Sequence, residues 1–307
     1  MEETKIKIPV LLGPTATGKT ELAVQLASEY GWEIISCDSR QIYRKMDIGT
    51  AKPTSEQLQK VKHWLIDIID PSEPYSAYRF AEDSLRIIRE KASVSKTVLI
   101  CGGTGMYFKI LSEGMGVQVD SDPHIRDELM ERGRVEGSAS LHEELKIKDP
   151  ESAYKLHPND LQRIVRALAV YYQSGNKISS LKQGCAPEGV EFVVGKLFED
   201  RDRLYKRIND RVECMVRNGL LEEFLKLIDC GYDQFSPGMQ CVGYKELFCV
   251  QRGECTLNTA IGTIQRNTRR YAKRQITWFS HQTGGEDINS NDCYGKLKDY
   301  FKTRMNL

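Results

Sequence analysis

Apolar positions in the first third of the chain fall in short runs separated by amphipathic stretches. Lys7–Leu12, Glu33–Cys37, Trp64–Ile69 and Thr97–Cys101 read as strands. Val98-Leu99-Ile100-Cys101 is apolar without interruption, as expected of a strand covered on both faces. Between the runs the period changes to that of a helix, and over 21–27 Leu22, Ala23 and Leu26 share one side. Strand and helix alternate over 1–111, which predicts an α/β fold with a parallel sheet flanked by helices.

From about 112 the strand pattern stops. Asp120-Ser121-Asp122-Pro123 reads as a helix start, and 124–157 is charged and helical, broken at Gly133, Gly137 and Pro150. Its low apolar content predicts a small, loosely packed helical insertion over 116–157, with 1–115 and 158–307 forming the core. Pro158-Asn159-Asp160 caps a further helix, with Leu161, Ile164, Leu168 and Tyr172 as its buried face. Glu191–Phe198 returns to strand character and rejoins the sheet. The remainder reads as helical, apart from a loop at Ser236-Pro237-Gly238 and a polar stretch over 283–292.

Composition changes this picture little. The 307 residues carry a formal net charge of +1, so a nucleic-acid surface would have to come from local clustering. Nine cysteines without a C-x-x-C, and no secretory signal, predict a reduced cytoplasmic setting. Five scattered histidines do not form a zinc pattern, and no apolar run reaches the roughly 20 residues that span a membrane.

The chemistry gathers where strands end. Gly13-Pro14-Thr15-Ala16-Thr17-Gly18-Lys19-Thr20 reads G-x-x-x-x-G-K-[ST] between a strand and a helix. In such a P-loop, backbone N–H groups and the positive helix end face an anion, Lys19 adds a cation, and the Thr20 hydroxyl suits Mg²⁺. The motif establishes phosphate binding without selecting ATP. Asp38 follows the second strand, placed either as a base or as a cap of the next turn, and Ser39-Arg40-Gln41 after it is polar. Thr104 sits in the glycine turn after Cys101. In open α/β sheets all three positions converge beyond the carboxyl ends of the strands.

Two basic surfaces stand out. Over 257–280, Ile261, Ile264, Thr268, Tyr271, Gln275 and Trp278 mark one helix face, with Arg266, Arg269, Arg270 and Lys273 opposite. Together with Arg163 and Arg166 these cations suit a nucleic-acid backbone, against the alternative of a solvated charged face. Gln240-Cys241-Val242-Gly243-Tyr244-Lys245 suits contact with an unstacked base, or ordinary packing. Among Arg201, Arg203, Arg207 and Arg211, one of the last two reaches the P-loop ligand, and the others pair with Asp200, Asp202 and Asp210.

GPTATGKT at 13–20, DSRQIYRKMDIGTAKP at 38–53, DIIDPSEPYSAYRF at 67–80, GGTGMYFK at 102–109, HPNDLQRIVRAL at 157–168, QCVGYKE at 240–246 and KRQITWF at 273–279 span nearly the whole chain. In this order they resemble the bacterial tRNA dimethylallyltransferases. The resemblance implies a P-loop NTPase-like sheet with a mobile helical insertion. It also implies a monomer that prenylates the adenosine 3′ of the anticodon in a tRNA anticodon stem-loop. Gly13, Pro14, Thr15, Ala16, Thr17, Gly18, Lys19 and Thr20 would hold dimethylallyl diphosphate, with Mg²⁺ on Thr20. Asp38 would take the N6 proton, and Lys19 and Thr104 would serve the diphosphate and reacting centre. Asp38, Ser39, Arg40, Gln41, Thr104, Arg126, Gln162, Arg163, Ile164, Val165 and Arg166 would touch tRNA. So would Gln240, Cys241, Val242, Gly243, Tyr244, Lys245, Lys273, Arg274, Gln275, Ile276, Thr277, Trp278, Phe279 and Ser280. Gln240 departs from members with a basic residue there, and the zinc finger of eukaryotic relatives is missing.

Three rival readings stay open on the residues alone. A P-loop kinase would use the loop and Asp38 but leave the arginine helix idle. An adenylate prenyltransferase would need neither the insertion nor the basic surface. A tRNA-binding module with a vestigial loop would have no use for intact Lys19, Thr20, Asp38 and Thr104.

Overall fold

A computed structural model describes residues 5–114, 122–181, 184–291 and 293–306. The chain divides into two compact units, one formed by Met1–Ser112 with Pro187–Leu307 and the other by Glu113–Ala186.

In the first unit the chain begins β1 (Ile6–Leu12), α1 (Lys19–Tyr30), β2 (Glu33–Cys37), α2 (Ser55–Lys60), β3 (His63–Trp64), α3 (Ala77–Ala92), β4 (Val98–Gly102) and α4 (Gly105–Glu113). Six strands form one sheet in the order β3-β2-β4-β1-β5-β6, with β5 at Val190–Phe198 and β6 at Glu286–Asn289. Every recorded pairing is parallel, and Val10 of β1 lies between Ile100 and Val194. Successive residues feed opposite faces, as the strand period requires. Val10, Leu12, Ile35, Val98 and Ile100 pack on one side with Phe80, Phe108 and Phe279. Leu11, Ile34 and Leu99 pack on the other with Leu26, Leu297 and Phe301.

Two strand expectations change. Of the run 64–69 only Trp64, with His63 before it, joins the sheet, because Leu65 and Asp67 take positive φ of 61° and 57° and turn the chain; Ile69 makes an isolated parallel bridge to Tyr43. The polar stretch at 286–289 is a strand after all. It lies at the sheet edge, where only Ile288 is buried, so alternation was too short to show.

The second unit is helical: α5 (Pro123–Val135), α6 (Ser138–Lys148), α7 (Pro150–Lys155) and α8 (Leu161–Ser174). Asp122 caps α5, as expected, while Asp120 and Ser121 lie outside the described residues. The unit runs to 186 and not to 157, because α8 supplies its core. Ile164, Val165 and Leu168 pack with Leu129, Leu141 and Leu145. The insertion is therefore well packed despite its charged composition. Tyr172, expected on the buried face of α8, is 46% exposed, since Val165, Ala169 and Val170 rotate that face away from it. Gly133 does not break α5. A side chain there would meet Leu161 Cδ1 at 2.2 Å, so the glycine admits α8.

The chain returns through β5 to α9 (Arg201–Arg217), α10 (Leu220–Asp229), α11 (Phe248–Gln251), α12 (Leu257–Gln282), β6 and α13 (Cys293–Met305). A third core gathers Ile42, Met46, Val212, Phe224, Tyr244 and Ile264 beside the carboxyl ends of the strands. Cys249 and Cys255 form a disulfide just before α12, where free thiols were expected. Five intervening residues let the loop fold back, and the Cys255 N–H donates to the Cys249 carbonyl.

Candidate active site

The carboxyl ends of β1, β2 and β4 open on a cavity of about 590 Å³. The β1–α1 loop forms one side, through Thr15, Ala16, Gly18, Lys19 and Thr20. The first N–H groups of a helix lack intrahelical partners, so the start of α1, capped by Gly18, offers donors to an anion. Lys19 Nζ meanwhile donates to the Pro14 carbonyl at 2.6 Å. Burial holds the lysine down at about 8, with nearby Arg211 adding to the effect while Cys101 and Asp38 oppose it.

Arg211 answers which arginine reaches this loop. Its Nη1 donates to Thr15 Oγ1 at 3.2 Å, and its side chain lines the cavity. Arg207 stands beside Gly18 but pairs with Glu199 at 3.4 Å, not with any of the three aspartates expected. Burial lowers the Arg211 pKa, and the Asp38 charge offsets part of that.

Asp38 lines the cavity just past β2. Its Oδ1 accepts from the N–H of Arg40 at 2.8 Å and of Gln41 at 3.4 Å. The carboxylate thus caps its own turn and also faces the cavity, so the two roles read from sequence coexist. Thr104 stands behind it. Its Oγ1 accepts the Ser39 N–H at 3.0 Å, and its side chain also bonds Tyr271. Gln41 spends its amide on Ser36 and the Ala51 carbonyl, and Arg40 donates to the Pro237 carbonyl.

The opposite wall comes from α9, α12 and Gln240–Gly243 with Lys245. Gln275 is 6% exposed and bridges two loops: its Oε1 accepts the Thr15 N–H at 2.9 Å and its Nε2 donates to Gly103 O at 2.8 Å. Tyr271 and Arg274 line the cavity from α12, with the guanidinium over the tyrosine ring. Burial, and secondarily Asp38, pushes the Tyr271 hydroxyl up to about 12. Burial likewise raises the Cys37, Cys101 and Cys241 thiols, the last two to about 12, so the site has no thiolate nucleophile among them.

The cavity therefore gathers most of the P-loop, the Asp38 turn, the Gln240 segment and α12. Several expected contact residues are elsewhere. Tyr244 is fully buried and hydrogen-bonds Glu223, because the third core encloses its ring. Phe279 is buried under the sheet, and Trp278 packs on the same core. Ile164 and Val165 are buried inside the insertion, so neither can touch a nucleic acid there. Lys273, Ile276, Thr277 and Ser280 lie on the exposed face of α12. Arg269 is drawn to Asn209 of α9 at 2.6 Å and leaves the expected cationic face incomplete. Arg126, Gln162, Arg163 and Arg166 belong to the insertion unit, where Arg126 approaches Asp127 and Arg163 approaches Asp160.

Sequence reading missed two features. Ile208, Val212 and Met215 of α9 line the cavity; their four- and three-residue spacing was visible but was overshadowed by the arginines around it. Glu223 of α10 accepts from the N–H groups of Asp47, Ile48 and Gly49. It holds the 47–52 loop against the cavity, and nothing local in the sequence signals that.

A parallel sheet with a phosphate loop after its β1 strand and a carboxylate just past β2, with β4 between them, defines an α/β phosphate-binding enzyme. The profile of one family, IPP transferase, matches residues 41–282. The chain belongs to that family. It is 44% identical to tRNA dimethylallyltransferase 2 of Geotalea uraniireducens over 91% of this chain and 90% of the relative. It is 43% identical to the tRNA dimethylallyltransferase of Thermoanaerobacter sp. over 98% and 96%. Among solved structures, the tRNA delta(2)-isopentenylpyrophosphate transferase of Staphylococcus epidermidis superposes with a TM-score of 0.72 at 34% identity, covering 98% of this chain and 99% of that one. A eukaryotic dimethylallyltransferase acting on tRNA gives 0.79 at 25% identity, covering 97% and 77%.

Proposed function

We propose that this protein transfers the dimethylallyl group of dimethylallyl diphosphate to N6 of the adenosine 3′ of a tRNA anticodon. The observation that carries this reading is that one cavity holds the phosphate loop, Asp38 and the Gln240–Gly243 segment together. The relatives named above supply the substrate class.

The amine of adenine is a weak nucleophile, and an allylic diphosphate is a strong electrophile because its cation is delocalised. In the reaction the C1–O bond to diphosphate breaks and the electron pair leaves with oxygen. The N6–C1 bond forms, and the N6 proton passes to the Asp38 carboxylate. Lys19, Arg211, the Thr15 hydroxyl and the N–H groups opening α1 stabilise the departing charge. Thr104 positions the Asp38 turn through Ser39. No group of three or more His, Cys, Asp or Glu among the described residues forms a metal site. The residues nonetheless fit Mg²⁺ shared with diphosphate, since that ion takes one or two protein oxygens and keeps water and phosphate oxygens for the rest. Thr20, with Glu21 from the lining, would hold it, and bound there it would neutralise diphosphate charge.

Arg274, Lys245 and Lys273 are suited to tRNA phosphates, as are Arg126, Arg163 and Arg166 of the insertion. The target base must leave its stack to enter the cavity, at a cost of about a few kcal/mol. No described helix is long and apolar enough to cross a membrane. We place the protein in the cytoplasm as a monomer acting on the anticodon stem-loop.

The test is transfer of labelled dimethylallyl from its diphosphate, with Mg²⁺, to unmodified tRNA or to AMP. Label is expected on tRNA alone, and Asp38→Asn should lower kcat by about 10²–10⁴-fold. Label on AMP would move the protein to free-nucleotide prenylation. Phosphoryl transfer from ATP without prenyl transfer would make it a kinase.

A further inference from the structure

The cavity has an apolar lane that the transfer reading does not by itself explain. It begins at the phosphate loop, where Ala16 packs against a small cluster of Leu204 and Ile208 of α9 with Ala272 of α12. Arg211, between Ile208 and Val212, touches Thr15, so this part of α9 faces the diphosphate position. One turn further on, Val212 sits in the third core with Ile264 of α12, and the half-buried Met215 packs against that core. Ile208, Val212, Met215 and Ile264 all line the cavity. The lane therefore runs along α9, away from the anion site and toward the third core.

Its length can be set against the prenyl chain. With a rise of 1.5 Å per residue, Val212 stands about 6 Å and Met215 about 10 Å beyond Ile208. A five-carbon dimethylallyl group extends on the order of 5 Å from its C1, and each further isoprene unit adds about as much. A tail anchored at the loop thus ends near Val212. A ten-carbon tail would run into the Met215 side chain, which packs against the third core.

We propose that Val212 and Met215 of α9, facing Ile264 of α12, form the wall that restricts this enzyme to a single five-carbon prenyl unit. The proposal rests on the transfer reading above. The wall acts by exclusion, since tails of both lengths are equally apolar and only the longer one needs the volume that Met215 fills. The chemistry is unchanged: C1–O breaks, N6–C1 forms, and the proton goes to Asp38 whichever tail is carried.

The test uses the full chain, unmodified tRNA, and dimethylallyl or geranyl diphosphate, with products separated as five- and ten-carbon nucleosides. The wild type should favour the five-carbon donor in kcat/KM by about 100-fold. Met215→Ala should raise the geranyl-to-dimethylallyl ratio by about tenfold or more, whereas Met215→Leu, close in volume, should hold the wild-type ratio. A wild type using both donors equally would overturn the wall, as would a Met215→Ala ratio equal to that of the wild type or a change confined to the KM for tRNA. A variant-free check is competition in the wild type. Geranyl diphosphate should inhibit no better than inorganic diphosphate, and inhibition about tenfold stronger would mean that the longer tail has room. No transfer of dimethylallyl by the wild type would sink the transferase reading itself, an outcome distinct from an active wild type with an unchanged ratio.

Discussion

At the residue scale, Lys19 makes the site sensitive to pH. Burial holds its pKa at about 8, below the ordinary 10.5. A bound diphosphate favours the ammonium form and so raises the pKa in the complex. Below pH 8 the lysine is charged with or without ligand, so its contribution to affinity is flat. Above it, the free protein has lost a proton that the complex retains, so affinity for inorganic diphosphate should fall about tenfold per pH unit. Calorimetric titration should also register proton uptake in that range, and a constant Kd up to about pH 9.5 would refute the assignment. The same shift costs the fold stability below pH 8, and the cost eases as pH rises from 8 toward 10.5. Glu223 makes a second case. It receives three backbone N–H groups and the Tyr244 hydroxyl. Glu223→Ala should destabilise the protein by about 3 kcal/mol in urea unfolding, as donors lose a charged acceptor. The P-loop and Asp38 were legible because their chemistry sits in consecutive residues. Glu223 was not, since its partners lie about 175 positions away in the chain.

At the scale of elements, β2 and β4 approach closely where the site begins. A side chain at Gly102 would lie 2.0 Å from the Cys37 carbonyl, which is backbone and cannot swing aside. Gly102→Ala should therefore spread the two strands, destabilise the fold by about 3 kcal/mol, and lower kcat by moving Asp38. Chemical denaturation together with turnover would check it, and normal values of both would contradict the close approach. The sheet itself was legible strand by strand, since runs such as Val98–Cys101 are apolar on both faces. The α12 face was largely legible: its buried side held, and Arg266, Arg270 and Lys273 are exposed, while Arg269 turns toward Asn209. Periodicity places a residue on a face and says nothing about which neighbouring helix waits there. For the same reason Tyr244 read as a base contact until packing showed its ring enclosed.

For the molecule as a whole, the insertion has its own core in Leu129, Leu141, Leu145, Ile164 and Leu168. Residues 113–186 expressed alone should fold as a helical domain with a cooperative thermal transition by circular dichroism. A gradual, non-cooperative melt would show that they depend on the rest of the chain. Domain limits were the least legible feature, since α8 continues the charged insertion without any break in composition. The outermost strands have one more implication. β3 holds two residues, and β6 holds four with only Ile288 buried. Each rim of the sheet thus offers too little exposed ladder for a second chain to dock against, so a fold with a strongly apolar interior is guarded from edge-to-edge aggregation by the brevity of its margins.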